Sequence, residues 1–253
     1  MIDYVLSNSR WYDDTLPTGM LYNGPVLRTG SPRCDVLINE RGQMRKQLNT
    51  IYGLPDDAKI LMYAPAFRGG SQETNRSIQV NQGFPDYGRL IRSLERRFGG
   101  KWYVFLRLHP QLVARNMDQG LGEGKAEGED PDILGRRVVD VSRVDDMYEV
   151  LAGCDGFMTD YSSAAFDAAV MRVPVFLYAE DYGEYEKERG KLLWNLREMP
   201  FPLAVNEEEL ETRIEEFDEE EYLGKLEQMF MQAEVVEDGC GAAKVVDMIE
   251  NCT

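Results

Sequence analysis

Residues 156–178 read GFMTDYSSAAFDAAVMRVPVFLY, and the order of residue types in this stretch decides the fold class. Gly156 to Thr159 (GFMT) is strand-like. Ser162 to Met171 is rich in alanine and predicts a helix. Val173 to Tyr178 (VPVFLY) is a second buried strand. The same alternation runs outward from it. Lys59 to Ala64 (KILMYA) reads as a buried strand ending at Pro65. Tyr87 to Phe98 carries Leu90, Ile91, Leu94 and Phe98 at helical spacing. Trp102 to Leu108 (WYVFLRL) is the next strand and runs into His109-Pro110. Arg137 to Val141 (RVVDV) is short and β-branched, and Asp145 or Asp146 can cap a helix through Leu151. Strands alternating with helices imply an α/β fold: a doubly wound, Rossmann-like parallel sheet with helices on both faces.

The flanks read differently. Tyr4-Val5-Leu6 looks like a strand and Gly24 to Thr29 an extended passage, with turn residues between them, so the first 40 residues need a partner or a neighbouring domain. Arg41 to Leu48 predicts a helix leading into the sheet. Asn116 to Gly135 is polar and glycine-rich, long for a loop, and reads as a mobile surface insertion with a catalytic lid as the alternative. Glu207 to Glu221 places Leu210, Ile214 and Phe217 at helical spacing. Its carboxylates are expected to form a solvated helix face, with metal or protein binding as the alternative.

Composition bounds the function. The chain has 253 residues, 43% of them hydrophobic, enough for a core. With 45 acidic and 28 basic residues its formal net charge is -17. That argues against nonspecific nucleic-acid binding, which needs a basic face, and against a polybasic membrane anchor. No apolar run approaches the roughly 18 residues of a membrane-spanning helix. Met1-Ile2-Asp3-Tyr4 does not begin a signal peptide pattern. The four cysteines, Cys34, Cys154, Cys240 and Cys252, form no CxxC, and there is one histidine. A zinc site is therefore not expected, and free thiols in a reducing cytoplasm are.

Several residues stand where chemistry is done in such folds, beyond the carboxyl ends of strands. His109 follows a strand directly. A neutral imidazole there can move a proton, or it can simply cap the strand end through hydrogen bonds. Arg107, two residues upstream on the same face of a regular strand, could hold a phosphate. Thr159, Asp160, Ser162 and Ser163 follow a strand and open a helix, whose free N–H groups and hydroxyls suit a phosphate. N-capping by Asp160 or Ser162 is the plainer account and is compatible with the first. Arg68 follows a strand end and Arg189 precedes Gly190. Either alone is an ordinary surface arginine, but together with Arg107 and His109 they suit a pyrophosphate. The absence of GxGxxG, of a P-loop and of a triad argues against dehydrogenase and hydrolase chemistry.

Five stretches, in order and spacing, resemble the CDP-glycerol glycerophosphotransferases of teichoic acid synthesis. They are Gly30-Ser31-Pro32-Arg33-Cys34-Asp35 (family pattern GxPRxD), Tyr63 to Arg68 (YAPAFR), Arg107-Leu108-His109-Pro110 (RxHP), Met158 to Asp167 (TDYSSxxFD), and Asp181-Tyr182 with Tyr185 to Gly190 (YxxxRG). The match covers about residues 3 to 200. TDYSSxxFD with an upstream RxHP is its most specific part.

The resemblance implies a GT-B-like architecture, two Rossmann-like domains with the site in the cleft between them. It implies His109 as the catalytic residue, with Ser162, Ser163 and Arg189 on the donor phosphates. Arg68, Arg107, Thr159 and Asp160 lie in the same motifs and are expected to bind substrate. The donor would be CDP-glycerol or CDP-ribitol, the acceptor a polyol-phosphate polymer, with no cofactor and no metal. The implied location is cytoplasmic, with a peripheral place at the inner face of the bacterial cell membrane.

The chain departs from the family pattern in lacking a WHG-type motif. Most of the N-terminal half of the GT-B pair is therefore expected to be absent, the chain being a fragment, a truncated form or half of a split enzyme with a separate N-terminal half. Residues 1–40 would be the remnant of that domain, 41–235 the CDP-alcohol-binding domain and 236–253 a C-terminal helix. Lys191 stands where an aromatic is usual, and Asp238-Gly239-Cys240-Gly241 with Lys244 replaces a DGxxxxR element. Two alternatives remain, a GT-B glycosyltransferase using a nucleotide sugar and a non-catalytic nucleotide-binding half of a split enzyme.

Overall fold

A computed structural model describes residues 2–66, 84–108, 136–189 and 192–251. Among them the strands are β1 (Val5–Ser7), β2 (Val26–Arg28), β3 (Ala58–Tyr63), β4 (Lys101–Leu106), β5 (Val138–Asp140), β6 (Gly156–Thr159), β7 (Val175–Tyr178) and β8 (Leu203–Ala204). The last six form one sheet in the order β5-β4-β3-β6-β7-β8, every pair parallel. In β3 the run Ile60 to Tyr63 is wholly buried, as are all of β6 and β7. Successive strand residues point to opposite faces, so such runs mean that both faces are covered.

The helices of this body are α2 (Asp35–Asn39), α3 (Arg41–Tyr52), α4 (Tyr87–Phe98), α5 (Met147–Ala152), α6 (Ala164–Val170), α7 (Tyr182–Arg189), α8 (Glu207–Glu215) and α9 (Glu219–Ala233). Helix α4 shows why the chain turns where it does. The Asp86 carboxylate accepts the Arg89 N–H at 3.0 Å and caps its start, and Gly99, at φ 63°, ends it. Leu90, Ile91 and Leu94 then face the sheet. Of the two candidate caps for α5, Asp146 is the one that accepts a bond, from Tyr148 N–H at 2.7 Å.

The acidic segment departs from expectation in two ways. It is two helices, because Asp218 caps α9 through the Glu221 N–H at 2.8 Å and breaks the run after α8. The break drives Phe217 inward among Phe98, Phe176 and Tyr222, with ring centroids 5.1–5.6 Å apart. Part of the acidic face is also paired rather than solvated. Arg89 bonds Glu207 at 3.1 Å and Glu211 at 2.9 Å, and Arg96 bonds Glu215. Arg89, through its hydrogen bond, holds the Glu211 carboxyl below its ordinary value.

The N-terminal residues form a small unit of their own. β1 and β2 pair in parallel, Val5 opposite Val26, across the helix α1 (Arg10–Gly19) that the sequence patterning did not suggest. Ser9 caps α1 by accepting the Tyr12 N–H. The chain returns to this unit at its other end. Val236 N–H donates to the Asn8 carbonyl at 2.8 Å, and α10 (Gly241–Asn251) starts on the Asp35 carboxylate, which accepts the N–H groups of Gly241 and Ala242 at 2.9 and 2.8 Å.

Phe217 closes the packing between α4, β7 and α9. Phe217→Ala is expected to cost about 3–5 kcal/mol of stability. Met231→Ala, at a side chain that is 73% exposed, should stay within about 0.5 kcal/mol. Urea unfolding of the two variants measures both, and equal midpoints would contradict the placement of Phe217.

Candidate functional site

Counted from β3, the sheet runs to one side through β4 and β5 and to the other through β6, β7 and β8. Neighbouring strands therefore lead away from each other at β3 and β6. This is the doubly wound order whose crevice, beyond the carboxyl ends of the two diverging strands, takes ligands. The ends are tied together by side chains. Thr159 Oγ1 donates to the Ala64 carbonyl at 2.7 Å, and Asp160 Oδ1 accepts the N–H of Ala66 at 2.8 Å and of Tyr161 at 2.6 Å. Both residues are buried. Thr159 and Asp160 thus build the floor of the crevice.

Ser162 and Ser163 sit above that floor. Ser162 Oγ accepts the Ala164 N–H at 3.2 Å, and Ser163 is the exposed residue at the start of α6, its side chain making no capping bond. Tyr161, immediately before them, stacks on Tyr185 of α7, centroids 3.7 Å apart, and donates its hydroxyl to Asp181 at 2.9 Å. The stack joins the TDYSS turn to the helix that ends in Arg189. The side chain of Arg189 lies outside the described residues, and so do Arg68 and His109 altogether. Arg107 is placed elsewhere. Its Nη1 donates to the Val141 carbonyl at 2.8 Å and to that of Val144, bracing the turn after β5, and burial lowers its pKa.

A cavity of about 600 Å³ opens beside Ser162 and Ser163, between the N-terminal unit and the sheet body. Its apolar side includes Trp11 and Trp194, whose rings lie 4.8 Å apart, with Phe166 and Phe201 behind them. Its polar side includes Arg33, which none of the catalytic or binding assignments from sequence contained. Arg33 Nη2 and Nε bond the two oxygens of Asp167 at 3.1 and 3.2 Å. The Tyr148 hydroxyl donates to Asp167 at 2.6 Å and accepts from Arg33 Nε at 3.0 Å. Burial, then Asp167, raises the Tyr148 and Cys34 pKa values. Burial opposes the charge of Arg33, but its bond to Asp167 prevails and its pKa is raised. The sequence does carry a signal for this pair. Asp167 lies in a run of alanines, AAFDAAV, that packs inward, and a carboxylate buried there requires a cation.

Glu237 was missed as well. Its carboxylate lines the same cavity and accepts the Ser31 N–H at 3.0 and 3.2 Å. It crosses so closely over Gly30, at φ 82°, that an added Cβ there would stand 3.1 Å from Glu237 and 2.6 Å from the Val236 carbonyl oxygen.

The family model described as CDP-glycerol:poly(glycerophosphate) glycerophosphotransferase matches residues 1–251. The chain is 29% identical to the teichoic acid glycerol-phosphate transferase of Staphylococcus aureus over 88% of its own length and 54% of that protein. It is 24% identical to the teichoic acid poly(glycerol phosphate) polymerase of Staphylococcus epidermidis over 98% of its length and 33% of that protein. The solved structure of the wall teichoic acid polymerase TagF superposes with a TM-score of 0.73 at 24% identity, covering 98% of this chain and 57% of that one. The GT-B-like fold follows from that superposition. The chain thus spans between a third and just over half of these proteins.

Burial raises the Glu237 pKa above its ordinary 4.5. A carboxyl whose folded pKa is raised favours the folded state most below its unfolded pKa and loses that advantage as pH rises through the folded one. Glu237→Gln lacks the titration. Its melting temperature relative to the unsubstituted chain is expected to rise as the pH is taken upward from about 4.5. A difference independent of pH across that window, in thermal melts at matched ionic strength, would contradict it.

Proposed function

The chain belongs to the CDP-glycerol:poly(glycerophosphate) glycerophosphotransferase family, and on that footing we propose that it is the donor-binding part of an enzyme that transfers a polyol phosphate. Glycerol phosphate, or another polyol phosphate, would pass from a CDP-alcohol to a hydroxyl of a teichoic-acid-like polymer. The observation that carries the proposal is the crevice at the β3–β6 switch point, beside which Asp160, Tyr161, Ser162 and Ser163 of the family's TDYSS turn line a cavity large enough for a small nucleotide.

In the proposed reaction the acceptor hydroxyl attacks the β-phosphorus of the CDP-alcohol in line. A bond forms from that oxygen to phosphorus, the pyrophosphate bridge breaks, and CMP leaves with the bridging electrons. Ser162, Ser163 and Arg189 are proposed to hold the donor phosphates, and cationic and N–H donors offset the charge that develops there. His109 is proposed to move the hydroxyl proton. Thr159 and Asp160 support the site by fixing its floor. Arg68 remains proposed as a further phosphate contact, whereas the bonds of Arg107 to two carbonyls favour a bracing part for it. No cofactor or metal is proposed. Among the described residues no helix is long and apolar enough to cross a membrane. The proposed place of work is the cytoplasmic side of the cell membrane, reached peripherally.

CDP-glycerol is expected to raise the melting temperature of the chain, equally with and without EDTA, while a UDP-sugar leaves it unchanged. Stabilisation lost on chelation would mean a metal-dependent site, and a larger effect of the UDP-sugar would favour sugar transfer. By calorimetry, Arg189→Ala should weaken CDP-glycerol binding by about 1.5–3 kcal/mol, the worth of a charge-assisted phosphate contact. Arg197→Ala, where Arg197 rests over the Tyr182 ring at 5.7 Å, should weaken it less. Equal affinities for the two variants would remove Arg189 from the donor site.

A further inference from the structure

Among the described residues that line the cavity, Arg33 is the one basic side chain. The remainder of the polar wall is hydroxyls, Asn8 and the carboxylates of Asp160, Asp167 and Glu237. Two of those carboxylates already accept backbone N–H groups, Asp160 from Ala66 and Tyr161, and Glu237 from Ser31. Asp167 is matched to Arg33 itself. Among the described lining residues, the positive charge that an entering anion meets is what Arg33 can still offer.

The geometry of the pair leaves something to offer. The Asp167 side chain is 7% exposed, whereas that of Arg33 is 55% exposed. A guanidinium has five N–H donors in a planar fork. Asp167 and Tyr148 engage Nε and Nη2, the inner edge. Nη1 has no hydrogen-bond partner among the described residues, and Arg33 lines the same cavity as Ser162 and Ser163. Arginine is suited to this because its fork can pair with a carboxylate on one edge and present its remaining N–H donors to an oxyanion without changing rotamer. A surface arginine would first have to give up side-chain freedom to bind. This one has already lost it to Asp167 and Tyr148, so less is paid on binding.

We propose that Arg33 is a phosphoryl-binding residue of the cavity. Asp167 and Tyr148 hold its inner edge, and its Nη1 edge bonds a phosphoryl oxygen of the substrate. The proposal rests on the function proposed above, for which no part was given to Arg33. The phosphoryl oxygen can come from the CDP-alcohol or from the polyol-phosphate acceptor, since the two present the same chemistry.

The test is calorimetric titration of the full chain and of Arg33→Gln and Arg33→Lys with CDP-glycerol and, separately, with a short glycerol-phosphate oligomer, at several salt concentrations. Gln keeps a donor for Asp167 but no charge, and Lys keeps charge but no fork. Arg33→Gln is expected to lower the affinity for the ligand that Arg33 contacts by about tenfold or more, with a flatter salt dependence. Arg33→Lys should keep the salt dependence and recover part of the affinity. A loss confined to CDP-glycerol assigns the contact to the donor, and a loss confined to the oligomer assigns it to the acceptor. Affinities for both ligands within about twofold of the unsubstituted chain in Arg33→Gln overturn the proposal. So do equal losses in the two variants with unchanged salt dependence, which would mean that Arg33 only braces Asp167. If the unsubstituted chain binds CDP-glycerol and only the Arg33 effects are missing, the proposed function stands and this inference falls. If it binds neither ligand, both fall.

Discussion

The crevice exists because the carboxyl ends of β3 and β6 are held at one fixed separation. In the strands themselves the main-chain ladder does this, ending with the Ala64 N–H donating to the Met158 carbonyl at 2.9 Å. Beyond it the ladder stops and side chains take over, Thr159 reaching back to the Ala64 carbonyl and Asp160 holding the N–H groups of Ala66 and Tyr161. Strand ends that diverge leave peptide groups without ladder partners, and those withdrawn from water need another partner. A hydroxyl and a carboxylate at consecutive positions satisfy those groups and also fix the direction in which both chains leave the sheet. The TDYSS turn, its stack on Tyr185 and the start of α6 all hang from that arrangement.

A chain of net charge -17 has to place positive charge at the proposed phosphate site while much of its arginine complement is drawn into ion pairs. Arg28 binds Asp13, Arg45 binds Asp155, Arg137 binds Glu95, and Arg89 and Arg96 bind the acidic helix α8. Pairs as exposed as Arg96 with Glu215 contribute little to stability. Their consequence is that a guanidinium drawn into such a pair has fewer donors left for a phosphate. Arg107 spends its Nη1 on two main-chain carbonyls, and burial lowers its pKa. Spare donors at the crevice, more than the presence of arginine in a motif, decide which cation can meet an anion.

The sheet was legible from sequence because parallel strands covered on both faces are continuous apolar runs, and KILMY, WYVFL and VFLY are such runs with helical spacing between them. What was not legible depends on partners far along the chain. β8 is two residues, Leu203 and Ala204, and is a strand only because β7 lies beside it. Helix α1 contains Pro17, which reads as a breaker but falls late enough that the Ser9 cap and the first turns still form. The division of the acidic segment rests on Asp218, one carboxylate among many, acting as a cap. For the candidate site, the turn at TDYSS could be read from a strand running into small residues. The direction of Arg107 could not, since strand alternation stops at Leu106 and the residue lies past it.

The place of Arg33 at the cavity was not legible for a related reason, and the turn that holds it shows how the cavity is assembled. Between Gly30 and Asp35 consecutive positions bind different parts of the chain. Gly30 passes under the Val236 carbonyl, where only a residue without a side chain fits, and Ser31 donates its N–H to Glu237. Arg33 pairs with Asp167 of α6, and Asp35 caps α10. Each contact is between residues more than a hundred apart in sequence, so a local pattern can show that Asp167 needs a cation but not which residue supplies it. Each also depends on the others, because one short turn cannot satisfy all of these partners unless the N-terminal unit, the sheet body and the C-terminal segment are in place together. The wall that carries Arg33 is therefore a product of the whole chain having closed on itself, and its stiffness is set by the same bonds that join the two ends.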